Sequence, residues 1–214
     1  FVFSCKPQIN QENLIAEDVT FLASDALEGR QTGTKGEKEA ATYIENRFKQ
    51  LGLQPKGTSG FLQTFSFKPK TNPHDEVKFD VNGDGTITGN NVIGFLDNNA
   101  ENTIIIGAHF DHLGFGGEGS LYRDAIKAIH NGADDNASGV SVLLNLAAKL
   151  ITKNTGNNYL FMAFSGEEMG LLGSNYFVKN PTIDIKKVSY MINMDMVGRM
   201  KKDSTLAVYG TGTS

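Results

Sequence analysis

The chain has 214 residues, of which 39% are hydrophobic and 21% charged, a balance that suits one packed domain and excludes a disordered or fibrous chain. A net charge of -4, from 20 Lys+Arg against 24 Asp+Glu, gives no general attraction to nucleic acid or anionic lipid. No run approaches the ~20 apolar residues of a membrane span, and a single cysteine rules out an internal disulfide or a cysteine zinc cluster, so any metal must be held by His and carboxylates.

The chain opens with Phe1-Val2-Phe3-Ser4-Cys5-Lys6, the apolar stub, small residue and cysteine of a bacterial lipoprotein signal. Residues 1–10 are then a signal remnant and tether, with a lipid on Cys5 holding the protein at the periplasm-facing cell envelope, unless it is secreted. A frayed tail with a lone cysteine is the plain alternative. Asn13 to Ala23 is predicted helical, followed by a Ser24-Asp25 turn and a Gly29 to Gly33 loop. Thr34-Lys35-Gly36-Glu37 reads as a capping box opening a helix with Ala40, Ile44, Phe48 and Leu51 on one face and Gly52 at its end. Phe61 to Lys68, Val77 to Val81, Asn91 to Leu96 and Thr103 to Ala108 read as strands, the last with an Ile104-Ile105-Ile106 run suited to burial on both faces. Between them, Asp80 to Ile87 imitates the first eight positions of a calcium loop. Asn91 stands where that loop needs a bidentate Glu, so a hairpin turn is expected. An amphipathic helix follows at Ser138 to Thr152, then a buried strand at Tyr159 to Phe164 and a helix at Gly170 to Lys179. Strands at Val188 to Met194 and Thr205 to Tyr209 complete the pattern. This alternation predicts an α/β class, with a mixed, largely parallel central sheet flanked by helices.

The acidic and histidine residues gather at particular points of that framework. His109-Phe110-Asp111-His112 follows the Ile-rich strand, and Asp134-Asp135-Asn136 leads into the amphipathic helix. Glu167-Glu168 follows the Tyr159 strand, and Asp195 follows the Val188 strand. Each alone has an ordinary structural explanation: a rim histidine, a solvated edge, or acidic charge at a helix N-terminus. Three of the four lie at carboxyl ends of strands, where open α/β sheets place their ligands, and together they form a donor set that zinc accepts. A carboxylate between Met194 and Met196 also needs something to compensate its charge.

These motifs in this order resemble the zinc aminopeptidases of family M28, relatives of bacterial leucyl aminopeptidases. Further matches are Leu22-Ala23-Ser24-Asp25, Glu28-Gly29-Arg30, Thr32-Gly33-Thr34 and Asp195-Met196-Val197-Gly198, so the resemblance spans nearly the whole chain. It implies a zinc-exopeptidase-like fold over residues 11–214, two zinc ions, and peptide substrates with a free N-terminus. By the same resemblance His109 is the histidine ligand of one zinc, completed by Asp195; Asp134 bridges both ions; Glu168 holds the second. Glu167 is the general base, and Asp111 is the carboxylate that accepts from His109 and fixes its tautomer. The family draws one more histidine, for the second zinc, from a segment beyond the Asp-Met motif, whereas no histidine follows His130 in these 214 residues. The second site is therefore expected to be incomplete, the C-terminal part of the domain missing, and this fragment weakly active or inactive. His112 and His130 are the nearby substitutes, each expected at the rim. No nucleic-acid partner is expected, and membrane contact only through Cys5. The competing functions are a single-zinc acyltransferase resembling glutaminyl cyclases and a non-catalytic binding protein on the same fold.

Overall fold

A computed structural model describes residues 11–69, 76–117, 120–124, 126–153, 156–199, 202, 205 and 207–210. Cys5 and its proposed tether lie outside them. The helices are α1 (Gln11–Leu22), α2 (Lys35–Gln50), α3 (Gly139–Leu150) and α4 (Leu172–Lys179). The strands are β1 (Gln54–Pro55), β2 (Leu62–Phe67), β3 (Ile87–Leu96), β4 (Thr103–His109), β5 (Asn158–Phe164) and β6 (Val188–Asn193). They form one mixed sheet in the order β1-β3-β5-β4-β6, with β2 continuing the β1 edge of β3. Strands β5, β4 and β6 run parallel, while β3 runs against β5. The parallel half of the sheet is the half that carries the acidic motifs.

Side-chain alternation along β4 explains the layering, because successive residues of a strand face opposite sides. Ile104 and Ile106 pack in the core with Ile44 and Phe48 of α2 and Leu143 and Leu144 of α3. Ile105 joins Ile93, Leu160, Met162 and Phe177 of α4 on the other face. A continuous Ile run is the expected signature of such a doubly covered strand. Each of these side chains contributes roughly 1.5–3 kcal/mol when fully buried. Asp18 of α1 ties that helix to α2, accepting from Tyr43 Oη at 2.5 Å and from the Arg47 guanidinium. No helix among the described residues is long and apolar enough to cross a membrane.

Several elements depart from the sequence expectation for identifiable reasons. Thr34 caps α2 by accepting from the Glu37 amide at 3.4 Å, but the Glu37 carboxylate does not return the bond. It is buried and accepts from the Asn90 amide of β3 at 3.0 Å. The Val77 to Val81 stretch makes only an isolated bridge, Phe79 to Phe67, with the Phe79 ring packed against Phe65 and Tyr176. The Asp80 carboxylate accepts from Tyr176 Oη at 3.1 Å, so it serves that aromatic cluster and not a calcium loop. Helix α4 begins at Leu172, two residues later than Gly170, after a turn through left-handed Leu171. Strand β6 forms as expected but is largely exposed along its length. The described residues of the Thr205 to Tyr209 stretch are not in a strand.

Candidate metal centre

Four segments converge at the carboxyl ends of the parallel strands. His109 is the last residue of β4 and is 2% exposed, so its ring has little access to water. Its Nδ1 donates to the backbone carbonyl of Asp111 at 3.2 Å, which leaves Nε2 as the free nitrogen. Nε2 lies 3.2 Å from Asp135 Oδ1, 3.5 Å from Asp195 Oδ1 and 4.0 Å from Glu167 Oε2. It is buried without a hydrogen-bond partner. Three carboxylates around this nitrogen call for a compensating positive charge, either a proton on Nε2 or a cation between them. Burial works to depress the His109 imidazole, yet Asp111, Asp135 and Glu167 outweigh it and push its pKa up to about 11. The surroundings of His109 therefore favour positive charge, and the donors are of the type zinc accepts.

Donor atoms of His109, Asp135 and Asp195 lie within 4.8 Å of one another, and so do those of His112, Asp135 and Glu168. Asp135 is common to both groups. The sequence expectation gave the shared place to Asp134, whereas Asp135 is the member of the doublet in both groups, and the local contacts show how the two differ. Asp134 Oδ1 accepts from the Gly198 amide at 2.9 Å, and its Oδ2 lies 3.2 Å from Arg199 Nε. On the other side of Asp135, Asn136 Nδ2 donates to the Met194 carbonyl at 2.9 Å, and its Oδ1 accepts from the Met196 amide at 3.3 Å. Asp134 and Asn136 thus stitch this turn to the segment carrying Asp195, while Asp135 between them reaches His109. Interaction with His109 is the main reason the Asp135 carboxyl is held below its usual range.

Asp111 stands beside His109 and holds the next turn as well. Its carboxylate stands 3.8 Å from His109 Nδ1, and its backbone carbonyl lies nearer, at 3.2 Å. The carboxylate accepts from the Glu167 amide at 3.1 Å, the Glu168 amide at 3.4 Å and Thr32 Oγ1 at 3.0 Å. It fixes the turn after β5, and so the direction of both glutamates. Glu167 is half-buried; burial raises its pKa, His109 opposes the rise, and Asp111, Glu168 and Asp195 add to it. Glu168 Oε1 lies 2.6 Å from His112 Nδ1. His112 therefore faces the centre and not the rim, whereas His130 is engaged by Ser120 Oγ at 2.6 Å in the neighbouring loop. Sequence reasoning missed Asp135 and Thr32. The Asp134-Asp135 doublet held the first signal without resolving which member turns inward, and Thr32 stood in the matching Thr32-Gly33-Thr34 segment without an assigned role.

A mixed α/β sheet whose parallel strands end in this His–carboxylate cluster defines an α/β protein with a candidate metal-binding group. The profile of peptidase family M28 matches residues 91–214, and the chain belongs to that family. It is 34% identical over 170 residues to the alkaline phosphatase isozyme conversion protein of Escherichia coli (strain K12), covering 78% of this chain and 46% of that one. It is 39% identical over 171 residues to a probable leucine aminopeptidase of Trichophyton verrucosum (strain HKI 0517), covering 77% and 38%. The chain thus spans less than half the length of these two curated relatives. Among solved structures, a Zn-dependent exopeptidase of Parabacteroides distasonis ATCC 8503 aligns with TM-score 0.65 at 22% identity, over 90% of this chain and 63% of that one. An aminopeptidase of Aneurinibacillus sp. strain AM-1 aligns with TM-score 0.64 at 20% identity, over 88% and 71%. A glutaminyl cyclase of Bacteroides thetaiotaomicron aligns with TM-score 0.62 at 20% identity, over 90% and 63%. At these identities the structural likenesses establish the fold.

Proposed function

We propose that the chain is the catalytic part of a metal-dependent exopeptidase that releases N-terminal amino acids from peptides, using two zinc ions and Glu167 as general base. The observation that carries the reading is the pair of donor groups sharing Asp135 beside Glu167. Family membership and the aminopeptidase relatives support the reaction class. His109, Asp135 and Asp195 would hold one ion, and His112, Asp135 and Glu168 the other, with His112 as the imidazole this chain supplies to the second. Bound zinc supplies Lewis-acid polarisation of a carbonyl and an acidified water. Glu167, with its raised pKa, is suited to take a proton from water and return it to the departing amine. Asp111 keeps Glu167 and Glu168 aimed by holding their amides. A cavity of about 410 Å³ lined by Phe67, Val77, Leu113, Met169 and Leu172 opens beside His112 and Glu168, offering apolar room for a substrate side chain.

The single-zinc cyclase reading uses one ion, and the second donor group supports two. The apolar start and Cys5 support a lipid-anchored protein of the bacterial envelope as part of the same proposal. The test is hydrolysis of chromogenic aminoacyl anilides by the zinc-loaded protein, with free and acetylated amines in parallel. Release from the free amine alone is expected. Equal release from both, or cyclisation of N-terminal Gln without hydrolysis, contradicts the reading.

A further inference from the structure

Arg30 is wholly buried, among the largest fully buried side chains of the described residues. Its Nε donates to the Phe110 carbonyl at 2.7 Å, between His109 and Asp111. Its Nη2 donates to the Gly132 carbonyl at 3.0 Å, three residues before Asp135, and its Nη1 to Asn131 at 2.7 Å and to Leu22 at the end of α1. The backbone continues the clasp: the His112 amide donates to the Arg30 carbonyl at 3.3 Å, and the Gly114 amide to Gly29 at 3.1 Å. Three successive residues with positive φ, Glu28, Gly29 and Arg30, turn the side chain inward. At Gly29 a Cβ would lie 2.6 Å from the carbonyl oxygens of Gly114 and His130, so only glycine fits. Such conformations persist where the surroundings over-determine them, often at functional sites.

The two donor groups depend on segments far apart in sequence. His109 and His112 lie on one, Asp135 on another, and the Arg30 guanidinium bonds directly to both. Burial lowers the pKa of Arg30 to about 10, with Asp111 and Asp135 working against the fall, so the group stays charged at neutral pH. Metal affinity tolerates only small errors in donor positions.

We propose that Arg30 is a positioning residue for the metal centre: its guanidinium sets the separation of the His109–His112 and Gly132–Asp135 segments, and with it the affinity for zinc. The proposal rests on the metal reading above. The test is zinc affinity of Arg30→Met and Arg30→Lys in the full chain, by competition with a chromophoric chelator, alongside thermal unfolding of the same proteins without metal. Removing a group that orients ligands typically costs about 10–100-fold in affinity, the loss expected for Arg30→Met. Arg30→Lys keeps the charge but not the planar fork, so partial recovery is expected. Folded variants within about 2-fold of wild type would overturn the proposal, since that lies below any orienting effect. A variant unfolded in buffer is measured again in trimethylamine oxide, which favours the compact state. Affinity still weak after the fold returns supports positioning. Affinity that returns with the fold, or a chain that folds in neither condition, overturns it. Wild-type protein that binds no zinc would instead fail the metal reading itself.

Discussion

At the residue scale, the division of labour between Glu167 and its neighbours is set by what each backbone and carboxylate touches. Asp111 spends its carboxylate on the Glu167 and Glu168 amides and on Thr32, which leaves the two glutamate side chains free for the centre. Glu167→Gln keeps those amide bonds and removes only the proton acceptor. It is expected to lower kcat by about 10²–10⁴ with zinc content unchanged, measured by turnover and elemental analysis on the same sample. A parallel loss of zinc would make Glu167 a ligand instead of a base. His112 makes a separate claim, because it gives the second donor group its only imidazole. His112→Ala is expected to reduce bound zinc from about two ions per chain to about one, while the His109 group keeps its ion. Retention of both would place the second ion elsewhere.

At the scale of elements, the first turn of α2 contains a buried acid with one satisfied oxygen. Glu37 Oε1 accepts from the Asn90 amide, whereas Oε2 is buried without a partner. Burial pushes the Glu37 carboxyl from its ordinary 4.5 up to about 7, against hydrogen bonds from Ser165 and Asn90 that lower it. The folded pKa is raised, so its stabilising contribution is fully present below pH about 4.5 and is lost as pH rises through about 7. The whole span is worth about 3 kcal/mol. Glu37→Gln is thus expected to gain Tm relative to wild type between pH 5 and pH 8, in paired melts across that range. Parallel melting curves would contradict it. The same residue shows the limit of reading a motif locally. Thr34-Lys35-Gly36-Glu37 has the letters of a capping box, but the Asn90 amide, fifty-three residues away, takes the carboxylate. The strands carrying the site were legible because the Ile104–Ile106 run and the apolar Tyr159 strand admit one period and one environment. The acidic clusters were legible because each follows such a strand. Asp135 was not, since the choice between adjacent aspartates depends on bonds from Asp134 to Gly198 and Arg199 that only the folded chain makes.

At the scale of the whole chain, the sheet ends on β6, which has no strand paired to its outer edge among the described residues. Tyr190, Met191 and Ile192 of β6 are each more than 40% exposed, so apolar side chains on both faces of an edge strand meet solvent. Edge strands of this kind pair with other chains unless charge or cover prevents it. The 214-residue chain is expected to self-associate with rising concentration, and Ile192→Lys to suppress this, as read by light scattering during size exclusion. A monomer at every concentration would show that the edge is protected by its own twist or by neighbouring residues.

The account turns on Asp135 as the carboxylate common to both donor groups, and the most direct test is zinc bound per chain in Asp135→Asn and Asp134→Asn, titrated side by side with wild type. Asp135→Asn is predicted to lose most bound zinc from both groups, while Asp134→Asn keeps it and loses only about 1 kcal/mol of stability from its bonds to the Gly198–Arg199 segment. Full zinc binding by Asp135→Asn, or loss confined to Asp134→Asn, would contradict the shared site.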